Sequence, residues 1–277
     1  MTRYTLRFAA LGYLVFLLAI PVVMVFYRMF EDGLSSVGEA LTNESFTHAL
    51  QVTLIIVAIA VPANTIFGVM CALAIVRRGS GRWSWLVNSA IGLPLALSPV
   101  VVGLSLVLVY GVNSGWAGGW LGDHGIRVIF ALPGMVIATI FVSLPFVVRE
   151  VIPVLREVGT DQEEAAWTLG ASRTATFWRV TLPAIRWGVA YGIVLTTARA
   201  LGEFGAVAVV SGHIAGKTES LTLYIDASYL QFDQSAVYTT AVVLAVLAVV
   251  TLLAMNFLGR KESHVGDRSP PGDEALR

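Results

Sequence analysis

The side chains that most often carry metal, redox or nucleophilic chemistry are few and scattered in this sequence. A single cysteine, Cys71, excludes an intrachain disulfide and a thiolate cluster. The four histidines lack metal-ligand spacing; they are His48, His124, His213 and His264. No predicted span presents paired carboxylates, a Ser/His/Asp set or an H-E-x-x-H helix. We therefore expect neither a metal centre nor catalytic residues.

One segment has the composition of a phosphate-binding loop. Residues 212–218 read GHIAGKT, but that motif needs four residues between its glycines and this segment has three. The segment also follows an apolar run of helix length, whereas a phosphate-binding loop follows a buried strand. We expect a loop that binds no nucleotide.

Two opposite charges, Arg199 and Glu203, lie four residues apart inside an otherwise apolar stretch. On an α-helix that spacing places them on one face. A charge at the centre of a spanning helix costs about 2.5–3.5 kcal/mol on insertion scales, so both should face the bundle interior, each other or water. One interpretation is an internal ion pair that orients the helix. The other is that Arg199 attracts an anion directly.

The elements that must position these residues are membrane helices. Of the 277 residues, 56% are hydrophobic and 13% charged, with a mean hydropathy of +0.77, whereas a soluble domain has about a quarter of its residues charged. A helix needs about 20 apolar residues to cross a bilayer. Six windows meet that length: 8–30, 50–76, 85–112, 128–152, 184–210 and 236–258. The predicted fold is an all-α polytopic bundle.

The basic residues predict the orientation of this bundle. Six spans place both termini and the loops near 77–84 and 150–183 on one side, and most of the 18 Lys and Arg lie there. Positive residues accumulate on the cytoplasmic face, so both termini are predicted inside. The window 8–30 is too long for a signal-peptide core and is predicted to stay as an anchor. The polar tail 260–277 is predicted to be a frayed end.

The segment 161–183, DQEEAAWTLGASRTATFWRVTLP, is unusually polar for a stretch between two spans. Thr160 or Asp161 can act as the N-cap of a helix, with Glu163 or Glu164 completing a capping box. Acidic residues in the first turn also favour the helix dipole. A short helix is therefore predicted to begin here.

The same segment carries signals for the end of that helix. Gly170 suits the left-handed position that follows a helix C-terminus. Beyond it, residues 172–180 are predicted to form one or two amphipathic turns with Phe177 and Trp178 at the membrane interface, and Pro183 is predicted to open the next span. The pattern predicts a helix–turn–helix.

The first helix of this pair presents Ala165 and Ala166 beside a carboxylate and just before the glycine corner. A face of small side chains fits a groove on another protein without clashes or a large desolvation cost. An amphipathic helix that lies on lipid is the alternative. The residues alone leave both interpretations open.

The segment resembles the EAA loop of ABC-importer permeases, whose pattern is EAA-x3-G-x9-I-x-L-P. The matching residues are Glu164, Ala165, Ala166, Gly170, Leu182 and Pro183. Val180 stands where the pattern has Ile. The resemblance implies the type I ABC-importer permease architecture and a coupling helix that sits in a cleft of a cytosolic ATPase.

The resemblance also implies the partners and the location. The chain would be a transport subunit without its own ATPase site or cofactor, because two cytosolic ATPase subunits bind ATP and Mg. A second, different permease subunit and an extracytoplasmic solute-binding protein complete the importer, and the loop 212–218 would meet that protein. Membrane lipid surrounds the subunit, and nucleic acid is not a partner. The implied location is the bacterial cytoplasmic (inner) membrane, multi-pass, with both termini cytoplasmic.

Within that family, residues 200–206, ALGEFGA, resemble both molybdate and sulfate/thiosulfate permeases. The runs 97–103, 144–166 and 179–196 resemble the W-type sulfate/thiosulfate permeases, and the window 8–30 favours them because molybdate permeases usually lack it. Sulfate or thiosulfate import is the predicted function. Import of molybdate/tungstate or another oxyanion, or a stand-alone secondary transporter, is the alternative; no internal repeat supports the latter.

The domain prediction is a single permease domain, 1–277, with a core at 50–258 and a coupling-helix loop at 153–183. A translocation path or gate is predicted at Arg199, Gly202, Glu203 and Gly205. Gly188 and Gly192 form a further small-residue pair. Such glycines let helices approach closely, and helix packing or a hinge would each use them.

Overall fold

The computed structural model describes residues 2–77, 81–112 and 115–263, and the regular elements in those ranges are helices. The first seven are α1 (Thr2–Leu14), α2 (Ile20–Glu31), α3 (Leu34–Thr42), α4 (Glu44–Arg77), α5 (Arg82–Ala96), α6 (Pro99–Tyr110) and α7 (Gly118–Asp123). The next seven are α8 (Leu132–Val158), α9 (Asp161–Thr168), α10 (Arg173–Thr176), α11 (Leu182–Leu201), α12 (Gly205–Val210), α13 (Leu221–Leu230) and α14 (Gln234–Ser263). Two π-helical turns, Val15–Ala19 and Phe177–Thr181, join α1 to α2 and α10 to α11.

Five helical runs in the described ranges are long and apolar enough to cross a membrane. They are Arg7–Glu31, Glu44–Arg77, Leu132–Val158, Arg173–Leu201 and Gln234–Ala254. A helix that is apolar on all faces is a membrane span or a deeply buried helix, and α4, α6 and α14 are of this kind. These runs match five of the six predicted windows.

The sixth predicted window, 85–112, contains two helices instead of one. α5 ends at Ala96, α6 begins at Pro99, and the two are bent by 110°. A proline ring disfavours the α conformation in the residue before it, and Ser98, which precedes Pro99, is not helical. Leu97 is already extended, with φ −89° and ψ 143°. The predicted number of six spans therefore holds only if the bent pair is one span.

The helix predicted to open at Pro183 begins ten residues earlier in the chain. The backbone is helical from Arg173 through the π turn and α11, so the prediction for Pro183 is wrong. In the π turn the Leu182 N–H donates to the Phe177 carbonyl, a wider spacing than in an α-helix. The proline therefore lies at the second position of α11 inside a continuous helical run.

The C-terminal helix also extends past its predicted end. α14 continues to Ser263, so residues 260–263 of the predicted polar tail are helical. The rest of that tail, together with His264 and Arg78 of the predicted basic loop, lies outside the described residues.

The chain divides into two compact units. The first contains Met1–Ile56, Gly103–Ala138 and Leu201–Leu247. One of its apolar clusters joins α4, α13 and α14 through Phe46, Ala49, Leu221, Tyr224 and Ala236. A hydrogen bond from the Leu221 N–H to Thr53 Oγ1, 2.9 Å long, fixes α13 against α4.

The second unit contains Val57–Val102, Thr139–Ala200 and Ala248–Arg277. Its core joins the C-terminal half of α4 to α8 and α11, and its buried side chains include Val69, Ala72, Ile75, Val147, Val151, Leu155, Ile185 and Val189. A buried polar contact crosses the same interface, where the Asn64 amide donates to Ser143 Oγ at 2.8 Å. This unit positions the EAA segment.

Glycines let the helices of the second unit approach closely. A Cβ added at Gly68 would lie 2.7 Å from Val147 Cβ, and one at Gly192 would lie 2.9 Å from Val147 Cα. At Gly188 the added atom would lie 3.0 Å from Val154 Cγ2. These glycines lie in helix contacts, which supports packing as the role of the Gly188/Gly192 pair.

Candidate functional site

The short helix predicted in the EAA segment is α9, and it begins where the sequence analysis placed it. Gly159, with φ +68°, turns the chain after α8, and Thr160 occupies the N-cap position. The predicted capping box is wrong in one respect, because the Thr160 side chain makes no hydrogen bond to the helix backbone. Its hydroxyl instead donates to Glu164 Oε1 at 2.8 Å.

The end of α9 confirms the prediction for Gly170. This residue has φ +84°, its N–H donates to the Trp167 carbonyl at 2.9 Å, and the Ala171 N–H donates to the Ala166 carbonyl at 3.0 Å. This pair of bonds is the Schellman arrangement, which requires a left-handed residue after the helix. The corner therefore depends on glycine.

The face predicted to carry small side chains is open. Ala165 is exposed and Ala166 is half-buried, and both line an open groove together with Gln162, Leu169 and Pro183. Leu169 is 88% exposed at the tip of the segment. An exposed apolar tip beside a small-residue face is typical of a surface that packs against another protein.

The two adjacent glutamates of α9 have opposite environments. Glu164 is exposed, whereas Glu163 is only 7% exposed. Glu163 Oε1 accepts hydrogen bonds from Arg77 Nη2 at 2.6 Å and from Thr181 Oγ1 at 2.7 Å. Arg77 lies at the end of α4, and its Nη1 also donates to the Gly159 carbonyl at 3.0 Å. The sequence analysis missed this network.

No local pattern could have singled out Glu163. A helix of eight residues is too short for its apolar periodicity to separate an inner from an outer face, and the acidic residues Asp161, Glu163 and Glu164 are all equally suited to its first turn. The sequence offered one general rule, that a carboxylate buried near apolar spans needs a partner. That rule does not say which of the three acidic residues is buried.

The chain after the glycine corner returns directly to the membrane-length helix. Ser172 Oγ accepts from the Ala175 N–H at 3.2 Å and so caps α10. Phe177 packs against the core of the second unit, and its ring meets that of Trp178 edge-on at 5.2 Å. Leu182 packs against the same core. Trp178 is 61% exposed, as expected for an interfacial residue.

The prediction that Arg199 and Glu203 lie on one helical face is wrong, because α11 ends at Leu201, between them. An ion pair between them, or attraction of an anion by Arg199, stays a prediction. α11 ends at Leu201 with Arg199 half-buried in its last turn, so the two residues do not share a helical face. Glu203 is 3% exposed, and its Oε1 accepts from the Ala206 N–H at 2.9 Å. This carboxylate holds the start of α12.

The other two residues of the predicted gate lie at this break. Gly202 is exposed in the turn, and Gly205 is the first residue of α12. The close contact made by α12 is with another glycine, Gly103 of α6. A Cβ added at Gly103 would lie 2.7 Å from Val209 Cβ and 2.8 Å from the Ala206 carbonyl. The role of these residues in a path or gate stays a prediction.

The segment that resembles a phosphate-binding loop is closed by its own hydrogen bonds. The Ser211 hydroxyl donates to the Thr218 carbonyl, and the Ile214 N–H donates to Thr218 Oγ1 at 3.3 Å. Lys217 and Thr218 do not open a helix, because α13 begins at Leu221. Its geometry therefore differs from the strand–loop–helix that holds a nucleotide phosphate.

Glu219 lies directly after this loop and is 5% exposed. Burial raises the pKa of the Glu219 carboxyl above its ordinary value, and the positive charges that His213 and His48 carry when protonated partly oppose that rise in pKa. The raised pKa means that the Glu219 carboxyl keeps its proton to a higher pH than an ordinary glutamate does.

Apolar spanning helices that carry an EAA segment ending in a glycine corner define a permease subunit of the ABC-importer class. Residues 64–264 match the family described as "Binding-protein-dependent transport system inner membrane component". The chain belongs to this family, and it is a multi-pass membrane permease with an all-α fold.

Individual relatives agree with this assignment. The chain is 50% identical to the sulfate transport system permease protein CysW of Synechocystis sp., over 95% of this chain and 94% of that protein. It is 37% identical to the sulfate transport system permease protein CysT of Escherichia coli, over 87% of each chain. A crystal structure of a bacterial alginate ABC transporter in complex with an alginate pentasaccharide-bound periplasmic protein has a similar chain, with a TM-score of 0.76, 21% identity and 94% coverage of each chain. This last likeness shows the type I ABC-importer permease fold.

Proposed function

We propose that this chain is the transmembrane permease subunit of an ABC importer for sulfate or thiosulfate, and that α9 is the helix through which a cytosolic ATPase drives it. The observation that carries the proposal is the shape of α9. An EAA helix that ends in a Schellman corner presents Ala165, Ala166 and the protruding Leu169 to an open groove.

The geometry of α9 suits docking into a protein cleft. Small side chains at Ala165 and Ala166 let a partner's backbone approach closely, and Leu169 offers an apolar anchor that is 88% exposed. Trp167 is 47% exposed beside them. Burial of these side chains in a cleft would gain apolar contact area, at about 25 cal/mol for each Å² removed from water.

The names of the relatives support the proposed substrate and the proposed second permease. The chain is more similar to the CysW protein, at 50% identity, than to the CysT protein, at 37%. Both names belong to sulfate transport systems, so we infer that a CysW-type chain and a different, CysT-type chain together form the pathway. Sulfate and thiosulfate are the substrates we assign.

We infer the remaining partners from the family description and from the resemblance of residues 161–183 to the EAA loop. A binding-protein-dependent system includes a solute-binding protein, which we place on the extracytoplasmic side near the loop 212–218. Two ATPase subunits bind ATP and Mg on the cytoplasmic side, where α9 and both termini lie. This chain then hydrolyses nothing and needs no cofactor of its own.

The test combines co-purification with transport. The chain is expressed with its ATPase, second permease and solute-binding protein, and labelled sulfate uptake is measured in vesicles supplied with ATP. We expect Ala165→Arg to abolish uptake and ATPase binding while the chain still inserts into the membrane, because a long charged side chain cannot enter a cleft that fits alanine. The control, Ser35→Arg, adds the same group at an exposed position of α3 and should leave uptake unchanged.

Two results would contradict the proposal. Sulfate uptake by the chain alone, without any bound ATPase, would identify a secondary transporter. Wild-type uptake in Ala165→Arg would show that α9 is not the coupling helix.

A further inference from the structure

Glu163 and Arg77 form a largely buried ion pair. The Arg77 side chain is 21% exposed and that of Glu163 is 9% exposed, and the Nη2–Oε1 distance is 2.6 Å. The ion pair of Arg28 with Glu31 lies within one helix, and its side chains are 41% and 43% exposed. An exposed pair contributes little to stability, whereas an uncompensated charge at a buried pair is costly.

This pair joins parts of the chain that are far apart in sequence. Arg77 and Glu163 are separated by 86 positions, and Arg77 donates from two nitrogens, to Glu163 and to the Gly159 carbonyl at the α8–α9 connection. Thr181, in the π turn that leads into α11, donates to the same oxygen of Glu163. One carboxylate therefore bonds α9 both to α4 and to the start of α11.

The covalent chain by itself would link α9 only to its two sequence neighbours. α8 precedes it through Gly159 and Thr160, and α10 follows it through the glycine corner. The end of α4 is not a sequence neighbour of α9. Arg77 connects the two by hydrogen bonds, because its planar guanidinium fork holds two acceptors in a fixed geometry.

The apolar core of the second unit cannot supply the same constraint. Ile75, Leu155 and Ile185 bring α4, α8 and α11 into contact, but apolar contacts are not directional and depend mainly on buried area. Charge-assisted hydrogen bonds of 2.6–2.7 Å fix both distance and direction. The bonds of Glu163 therefore fix α9 against the end of α4 in both distance and direction.

We propose that Arg77, Glu163 and Thr181 form a transmission joint that makes α4 and α11 move with α9 when the ATPase closes. The proposal rests on the proposed function, since it needs an ATPase that acts on α9. The three are positioning residues, because they act through the helices and lie inward from the exposed face of α9.

The experiment measures sulfate transported per ATP hydrolysed in vesicles that contain the complete importer. Glu163→Gln removes the charge, Arg77→Gln removes the guanidinium fork, and Thr181→Val removes only the hydroxyl. We expect each variant to retain the bound ATPase and its hydrolysis, while sulfate transported per ATP falls by about 5-fold or more for Glu163→Gln and Arg77→Gln. Thr181→Val should give a smaller decrease.

The controls make the same kinds of substitution at exposed positions. Asp161→Asn neutralises an exposed carboxylate on α9, and Arg156→Gln neutralises an exposed arginine near the end of α8. Both should keep the wild-type ratio. Arg77→Lys preserves the charge but not the fork, so its ratio should fall between those of wild type and Arg77→Gln.

A purely structural role gives a different result. If hydrolysis and uptake fall together and the ratio stays at the wild-type value, the joint is not a transmission element. Should Arg77→Gln fail to fold, the sulfate transported per ATP hydrolysed by Glu163→Gln and Thr181→Val tests the joint instead. If the wild-type chain binds no ATPase, the proposed function itself fails; an unchanged ratio in an assembled importer overturns the joint alone.

Discussion

Glu163 and Glu164 are the same residue type in consecutive positions, but the fold places them in different environments with different partners. Glu164 is exposed and pairs with the Thr160 hydroxyl at the surface of α9. Glu163 is buried and bonds to Arg77. Successive residues of a helix point about 100° apart, so one residue of an adjacent pair can face the protein while the other faces solvent.

A pH prediction follows from the burial of Glu219. Its pKa is raised above the ordinary value of 4.5, so between these two values the folded chain binds more protons than the unfolded chain. The free energy of unfolding therefore falls as pH rises through that window. The Glu219→Gln variant has no carboxyl to ionise and so avoids this fall in the free energy of unfolding. The thermal unfolding midpoint of the variant in detergent should therefore exceed that of wild type at neutral pH.

The difference between the two proteins should shrink as pH falls toward the ordinary pKa of 4.5, where wild-type Glu219 becomes protonated in both states. Glu39→Gln, at an exposed glutamate of α3, is the control and should follow the wild-type profile. A constant difference between Glu219→Gln and wild type at all pH values would contradict the prediction.

Arg199 can be tested for direct contact with the transported anion. It lies half-buried in the last turn of α11, next to the helix break. If it orients the helix, Arg199→Gln should lower the maximal rate of sulfate uptake about tenfold and leave KM within about twofold, since an unchanged KM indicates unchanged ground-state binding. Arg127→Gln, at an exposed arginine, is the control. A KM that rises with little change in rate would instead assign anion attraction to Arg199.

At the scale of elements, close helix contact in the second unit depends on Gly192. An added Cβ there would lie 2.9 Å from Val147 Cα, and a backbone atom cannot move aside cheaply. Overpacking of this kind costs about 1–3 kcal/mol, so Gly192→Ala should lower the thermal unfolding midpoint by several degrees. Gly12→Ala, where no atom lies within 4 Å, should not lower it. Equal midpoints for both variants would show that α8 and α11 separate without cost.

Local signals predicted some elements well and failed where the backbone departs from an ideal α-helix. Gly170 was predicted correctly because a Schellman corner uses bonds between residues at most five positions apart. Pro183 was predicted wrongly because the π turn before it, Phe177–Thr181, keeps the backbone helical up to the proline. The break after Leu201 placed Glu203 off the helical face that its spacing indicated.

At the scale of the whole importer, anion selectivity is the decisive prediction. Sulfate and thiosulfate are the substrates that we assign, and molybdate, which is also a tetrahedral dianion, is the alternative. We expect excess thiosulfate to inhibit labelled sulfate uptake by the assembled importer about tenfold, and molybdate to inhibit it much less, as differences of about 1.4 kcal/mol in binding free energy would produce. Chloride is the control for ionic strength. Equal inhibition by molybdate would favour a broader oxyanion permease.

The amino-acid sequence alone determined the membrane class, five of the spans, the EAA helix and its glycine corner. Each depends on apolar run length or on residues a few positions apart, because bilayer thickness and backbone hydrogen bonding act along the local chain. The tertiary structure alone decided that Glu163 is buried and that Arg77, 86 positions away, is its partner. Burial and pairing of a charge depend on which distant helices pack together, and that information is not local to any segment.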